Sequence, residues 1–347
     1  MIRFYQKGDE HEINALFFEV FGKQRSLLHW NWKFMDNHLQ QSLILIDEQE
    51  GQLAGHVALV PSEAKWHDRE VKLGARNDTM VSPKFRGKGI YGDLNKALIS
   101  SSKQHDYDYL YGYPAEKAKK LFIRYTDATE IAQIPRLMRI NRLSALVMNR
   151  IPLLKLAKPI FLLLDRFFTV KESKPPAAFE IKSITHCGSE FDQLWEQAKN
   201  VAPILLKRDA KFLNWRFHNH PDRNYQMLGL FENGTLLGYA VIHVEEKKFG
   251  KGTVLNGTIV DLLAIEKRAV WDALIRATLQ KLRQADIIQT WALPHTELYP
   301  LLKQQRFVHK DSPMSLVGKY INEDLHESET TDSIENWYIT PADVDSF

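Results

Sequence analysis

The sequence predicts a mixed α/β (α+β) chain built as two tandem copies of one domain, each a mostly antiparallel mixed sheet flanked by helices. Three observations predict this. The 347 residues exceed one ordinary domain, and 44% hydrophobic content is ample for two packed cores. Residues 77–98 read as a strand, a tight basic glycine turn and a helix. The second half of the chain also repeats the first at a nearly constant spacing.

The elements follow from local pattern. Residues 2–5 suit a short strand, while 9–21 and 27–35 read as helices, the second carrying Trp30, Trp32 and Phe34. Strands over 42–47 and 53–61 flank the acidic turn 47–51. The strand over 71–81 stops before Pro83, which has no N–H for a ladder. From Ile90 the spacing turns helical, with Ile90, Leu94, Ala97 and Leu98 on one face. A strand over 107–113, a helix over 116–125 and a strand over 130–139 complete the first copy.

The repeat is dense. Trp32-Lys33-Phe34 is answered by Trp215-Arg216-Phe217, Gly55 by Gly238 and Asp78 by Asp261, all 183 residues apart. Past the glycine turn the spacing drops to 180, matching Pro114 with Pro294 and Leu121 with Leu301. The three residues lost in the second copy fall at the glycine turn. Its counterpart Ile265-Glu266-Lys267-Arg268-Ala269 has no glycine and cannot easily turn its amides toward an anion.

In the first copy Gly87 and Gly89 allow backbone angles that a Cβ forbids, so successive N–H groups can face one concavity. Arg86 and Lys88 flank it, with the positive end of a helix dipole behind. The plain alternative is a solvated basic turn. The stretch from Val81 to Ile90 resembles motif A of the GNAT acetyltransferase superfamily, whose Arg/Gln-x-x-Gly-x-Gly/Ala amides hold the pyrophosphate of coenzyme A. Arg86 and Gly89 match, while Tyr91 stands where a small residue is usual.

That resemblance implies two GNAT-like domains, residues 1–140 and 177–347, joined by a linker over 141–176. It implies acetyl-CoA or another acyl-CoA as co-substrate, with no metal. Met80, Val81, Ser82, Arg86, Gly87, Lys88, Gly89, Ile90 and Tyr91 are then the coenzyme-binding residues. The acceptor is expected to be the amine of a small molecule or amino sugar. Tandem arrangements are similar to those of N-myristoyltransferases and Fem-type aminoacyl transferases, where one half holds the donor and the other helps build the acceptor site. A Fem-like use of charged tRNA and a non-catalytic acyl-CoA-binding role stay open as alternatives.

The catalytic residues are less legible. Asp78, on the strand face of Met80, is the candidate base or orienting group, although a reference pKa of about 3.9 makes it a poor base unless burial raises it. The usual family tyrosine falls on Phe122, which has no proton to donate. Tyr125, three residues on, is the substitute candidate for the general acid, with water as the alternative. Trp30, Trp32, Trp215, Phe34 and Phe217 either line an acceptor cleft or form core.

The rest excludes or leaves open. One cysteine, Cys187, rules out an intramolecular disulfide and Cys-based zinc clusters. The thirteen histidines lack metal spacing, and no hydrolase elbow appears. A net charge of +3 argues against nucleic acid as a partner. With no apolar signal core at the start, a cytoplasmic location is expected, either free or peripheral to the inner membrane face. The apolar linker stretch 143–168 belongs to a segment, 136–175, with nine Lys/Arg against two Asp/Glu, or +7, while the remainder of the chain is −4. It reads either as helices on an anionic membrane surface or as a linker packed across both domains. Residues 171–176 read as an exposed joint, and the acidic tail 339–347 as a cleft cover or a frayed end.

Overall fold

The computed structural model describes residues 1–40, 42–170, 176–326 and 332–344, without the side chains of Pro152, Lys155 and Ala157. Most of the joint at 171–176 and the tip of the tail, 345–347, lie outside the described residues. The first copy runs β1 (Ile2–Phe4), α1 (Glu10–Phe21), α2 (Leu27–Phe34), β2 (Leu43–Gln49), β3 (Gln52–Trp66), β4 (Arg69–Val81), α3 (Ile90–Gln104), β5 (Tyr109–Gly112), α4 (Glu116–Thr126) and β6 (Thr129–Ile140). Two linker helices follow, α5 (Leu143–Arg150) and α6 (Lys158–Phe168). The second copy runs β7 (Glu180–Ile184), α7 (Ser189–Ala198), β8 (Ile204–Leu206), α8 (Ala210–Leu213), β9 (Gln226–Glu232), β10 (Thr235–Phe249) and β11 (Gly252–Ala264). It ends with α9 (Arg268–Lys281), β12 (Ile287–Trp291), α10 (Leu298–Gln304) and β13 (Val308–Tyr320).

The described strands form one sheet, ordered β1-β2-β3-β4-β5-β13-β6-β12-β11-β10-β9-β7, with β8 added to β3. Read from either end, the order visits equivalent strands of the two copies. The last strands are exchanged: β13 pairs with β5, and β6 with β12. β6 and β13 then pair with each other, Met138 opposite Val308 and Thr129 opposite Gly318. The exchange covers the edge that each copy would otherwise expose at its fifth strand.

Strand patterning explains the layers. Along β2, Leu43 and Leu45 face α3 through Ile90, Leu94 and Leu98, while Ile44 and Ile46 face Ile13, Leu16 and Trp30. An uninterrupted apolar strand of this kind needs cover on both faces. Gly55 in β3 lets α3 lie close, since a Cβ there would meet Ile90 Cγ2 at 2.7 Å. That close packing fixes where the loop before α3 emerges.

Candidate active site

β4 and β5 are parallel for only three residue pairs, ending at Ala75 opposite Tyr111. Beyond that point they part. On its other side β4 bulges against β3: His56 pairs with Met80 but Ala58 pairs with Asn77, so one extra residue is accommodated around Asp78–Thr79. Asp78 takes a left-handed φ of 47° there. A bulge re-aims the strand and its side chains, and such irregularities favour functional sites.

The glycine loop follows β4. Gly87 and Gly89 have φ of 84° and 83°, the left-handed region that favours glycine. Gly89 is the N-cap of α3 and offers no side-chain cap. Among the described residues no backbone or side-chain acceptor takes the N–H groups of Lys88, Gly89, Ile90 or Tyr91. Consecutive free N–H groups at a helix start make an anion cradle. Arg86 is exposed beside it, and Lys88 reaches Glu50 at 3.5 Å. The residues present therefore fit a pyrophosphate. Ser82 is an exception among the expected contacts, because its N–H is donated to Ala54 O at 2.9 Å and its side chain is buried. Met80 likewise turns its side chain into the core.

The second copy keeps the strand end and loses the cradle. Ile265 N–H donates to Leu237 O at 3.0 Å, as Ser82 does to Ala54 in the first copy. No residue from 265 to 269 has positive φ, and α9 starts directly after Lys267.

Asp78 is buried between two cations. Arg25 Nη1 and Lys33 Nζ both bond it, the latter at 3.1 Å, and its backbone carbonyl bonds His56 Nδ1 at 2.7 Å. Burial pushes its carboxyl up, but the Lys33 and Arg25 charges together outweigh this and hold it well below the usual carboxylate range. A carboxyl held that low is a weak base, and its bonds to Arg25 and Lys33 give Asp78 the geometry of an anchor for the bulge. Burial also keeps His56 neutral, with its pKa down at about 4. The second copy repeats the cluster at the same spacing of 183. Arg208 replaces Arg25, Tyr239 replaces His56, and Asp261 takes the place of Asp78. Tyr239 donates to Asp261 at 2.6 Å, and Arg208 lies 3.5 Å away.

Here the C-terminal tail enters. Tyr338 donates its hydroxyl to Leu262 O, and Thr340 donates to Asp261 at 2.8 Å. Arg208 bonds Asp343 at 2.6 Å, while Arg216 bonds Val344 O at 2.8 Å. The tail therefore closes the second copy at the place where the first copy stays open. The open place is a cavity of about 300 Å³ in the parting of β4 and β5, walled by Arg76, Asp78, Tyr113, Phe122, Asp343 and Val344 among others. A smaller cavity sharing Asn77, Tyr111 and Asp343 continues it toward Trp32 and Trp215. All five aromatics belong to the core, and of them Trp32 and Trp215 also line the cleft.

Tyr125 is not brought to this cavity. Its ring lies against Gly92 and 5.3 Å from the Tyr91 ring, bordering a separate depression with Lys96 and Lys103. The proton-donor role expected of it is corrected accordingly, for a physical reason: the smallness of Gly92 draws the ring onto α3. The cation that does face the cavity is Arg76, 4.5 Å over the Phe122 ring. It donates to Tyr91 Oη and Asn95 Oδ1, its Nε has no partner, and no carboxylate pairs with it among the described residues. A lone arginine in a strand carries no local signal, so the sequence reading missed it. No cluster of His, Cys, Asp or Glu suited to a metal occurs among the described residues.

Residues 1–119 match the model of the acetyltransferase (GNAT) domain. No curated protein matches the sequence. A probable N-acyltransferase from Enterococcus faecalis is similar in structure at 12% identity and a TM-score of 0.66, covering 92% of this chain and 72% of its own. A GCN5-related N-acetyltransferase from Anabaena variabilis gives 12%, 0.69, 93% and 73%. The N-myristoyltransferase of Saccharomyces cerevisiae, solved with bound myristoyl-CoA, gives 10%, 0.58, 92% and 82%. Residues 1–119 thus match the acetyltransferase (GNAT) domain in sequence, and the chain as a whole shares its fold with these solved N-acyltransferases.

Proposed function

We propose that the protein is an acyl-CoA-dependent N-acyltransferase that transfers an acetyl or other acyl group to the amine of a small molecule or amino sugar. The observation that carries this is the run of unpaired N–H groups from Lys88 to Tyr91, beside a cavity whose Arg76 bonds Tyr91. The cradle would hold the pyrophosphate of the coenzyme, with Arg86 adding a charge-assisted contact. The coenzyme supplies an activated thioester. The open parting of β4 and β5 would receive the thioester end, and the cleft toward Trp32 and Trp215 would receive the acceptor.

Within that cavity the chain's own groups divide the work. Asp78 holds the bulge in place through Arg25 and Lys33. Arg76 offers positive charge where a thiolate leaves; a preorganised charge of this kind can stabilise a leaving anion without donating a proton. Asp343, held by Arg208 at 2.6 Å and by the Thr340 N–H at 2.8 Å, fixes the tail segment that walls the cavity. The test is calorimetric titration with coenzyme A, followed by thioester turnover with a panel of amines. Binding without turnover on any amine would leave an acyl-CoA-binding protein. Binding of charged tRNA in competition with coenzyme A would favour the aminoacyl-transferase alternative.

A further inference from the structure

The linker helices do not hide their apolar side. Asp165 turns inward and accepts from Ser144 N at 2.9 Å and Ser144 Oγ at 2.5 Å, joining α5 to α6. The opposite side is bare: Leu153 is 85% and Leu156 94% exposed, and Ile160, Leu162, Leu163 and Phe167 are each at least half exposed. Positions 160, 163 and 167 of α6 are spaced by three and four, which places them on one helical face, and Leu153 and Leu156 lie in the 3-10 turn just before it. Leaving so many large apolar side chains together in water is unfavourable, and such patches mark interaction surfaces.

The charge around this face is one-sided. Arg150, Lys158 and Arg166 are exposed, and no carboxylate pairs with them among the described residues. At the C-terminal end of α6 a cavity of about 210 Å³ is lined by Arg139, Arg276 and Arg306 together with Thr169 and Val170. Arg139 donates to Phe168 O at 2.9 Å and to Gln305 O, and Arg306 donates to Phe167 O. These bonds cap the helix, where cations are favourable. They leave Arg139 Nε buried without a partner, in a cavity with no acidic lining residue, although Arg276 turns its Nε to Asp272 at 2.7 Å.

We propose that this face docks on an anionic phospholipid bilayer, with the α6 apolar side chains in the acyl boundary and a lipid phosphate in the Arg139–Arg276–Arg306 pocket. The two features are neighbours, since Arg306 grips the last turn of the helix whose apolar face is exposed. A second copy of this chain is a poorer occupant, because it would bring the same +7 segment against itself. An apolar helical face ringed by Lys and Arg fits the interface plane of an acidic membrane. No helix of the described residues is long and apolar enough to cross one.

The experiment is co-sedimentation of the full chain with vesicles of phosphatidylcholine alone and with added phosphatidylglycerol, at low salt and in 0.5 M (about the concentration that screens surface charge) sodium chloride. Binding should be at least about tenfold stronger to the acidic vesicles and should weaken in salt. Two double variants, Leu156→Asp with Leu163→Asp and Arg276→Gln with Arg306→Gln, alter exposed side chains; the first should keep the parent's thermal midpoint, and the second, which loses the Arg306 bond to Phe167 O, should stay folded with a small fall in it. Each should lower binding by about fivefold or more. No binding by the parent, equal binding to both vesicle types, or undiminished binding by both variants would overturn the proposal. Self-association abolished by the leucine changes, without vesicle binding, would assign the face to a second copy. Thermal protection by inorganic phosphate without vesicle binding would assign the pocket to a soluble anion.

Discussion

Trp32 and Trp215 donate their indole N–H groups to each other's backbone carbonyl, at 2.8 and 2.9 Å, with rings stacked at 5.2 Å and 21°. The two residues are 183 apart, the spacing of the sequence repeat. Their reciprocal pair joins equivalent positions of the two copies, and both rings line the cleft.

Replacing either tryptophan by phenylalanine keeps a ring and leaves one buried carbonyl unpaired. Each change should cost about 1–3 kcal/mol. The double variant should cost less than the sum, because the residues share one contact. Urea denaturation of all four proteins measures this, and strict additivity would mean that the pair is not coupled.

Gly89→Val puts a branched Cβ at φ 83°, where the backbone has to present its N–H groups. Coenzyme A affinity should fall more than tenfold, about 1.4 kcal/mol, with little change in thermal midpoint because the loop is exposed. Arg86→Ala should weaken binding less. An unchanged affinity in folded Gly89→Val protein would remove the cradle and the acyltransferase reading with it.

Only one coenzyme should bind per chain, since no residue from 265 to 269 adopts the left-handed conformation. Calorimetric stoichiometry decides this. Two equivalent sites, or a site lost on changing Lys267 and Arg268 but kept on changing Arg86, would contradict it.

Asp78→Asn removes the carboxylate that buried Arg25 is bonded to, which should cost about 3–5 kcal/mol at neutral pH. The folded carboxyl lies below its ordinary value of about 3.9, so its stabilisation is complete above that pH and fades as pH falls toward the folded value. The stability gap between parent and variant should therefore narrow in acid. Parallel curves of urea midpoint against pH would show that Asp78 is not anchored as an anion.

Arg76→Gln should lower kcat on the order of a hundredfold with a smaller change in coenzyme KM, as expected for a charge acting mainly on the leaving group. Tyr125→Phe should leave turnover intact, because that ring faces another depression. The reverse pattern would restore Tyr125 as the donor.

What the sequence determined by itself is short-range or periodic. Strand-to-helix transitions, the two glycines before α3, the missing glycines before α9 and the register of the repeat all lie within a few residues or at one fixed spacing. Helix and strand periods and left-handed turn positions are written in such windows. The tertiary structure alone decided which strand closes which copy, because β5 accepts β13 or β6 according to packing across nearly the whole chain. It alone brought Asp343 and Val344 to the wall of the first copy's cleft, through bonds to Arg208 and Arg216 more than 120 residues away. It also turned Arg76 into the cavity and Tyr125 out of it. Whether a carboxylate becomes a base or an anchor depends on which charges surround it, and the two cations beside Asp78 arrive from α2 and from the segment just before it.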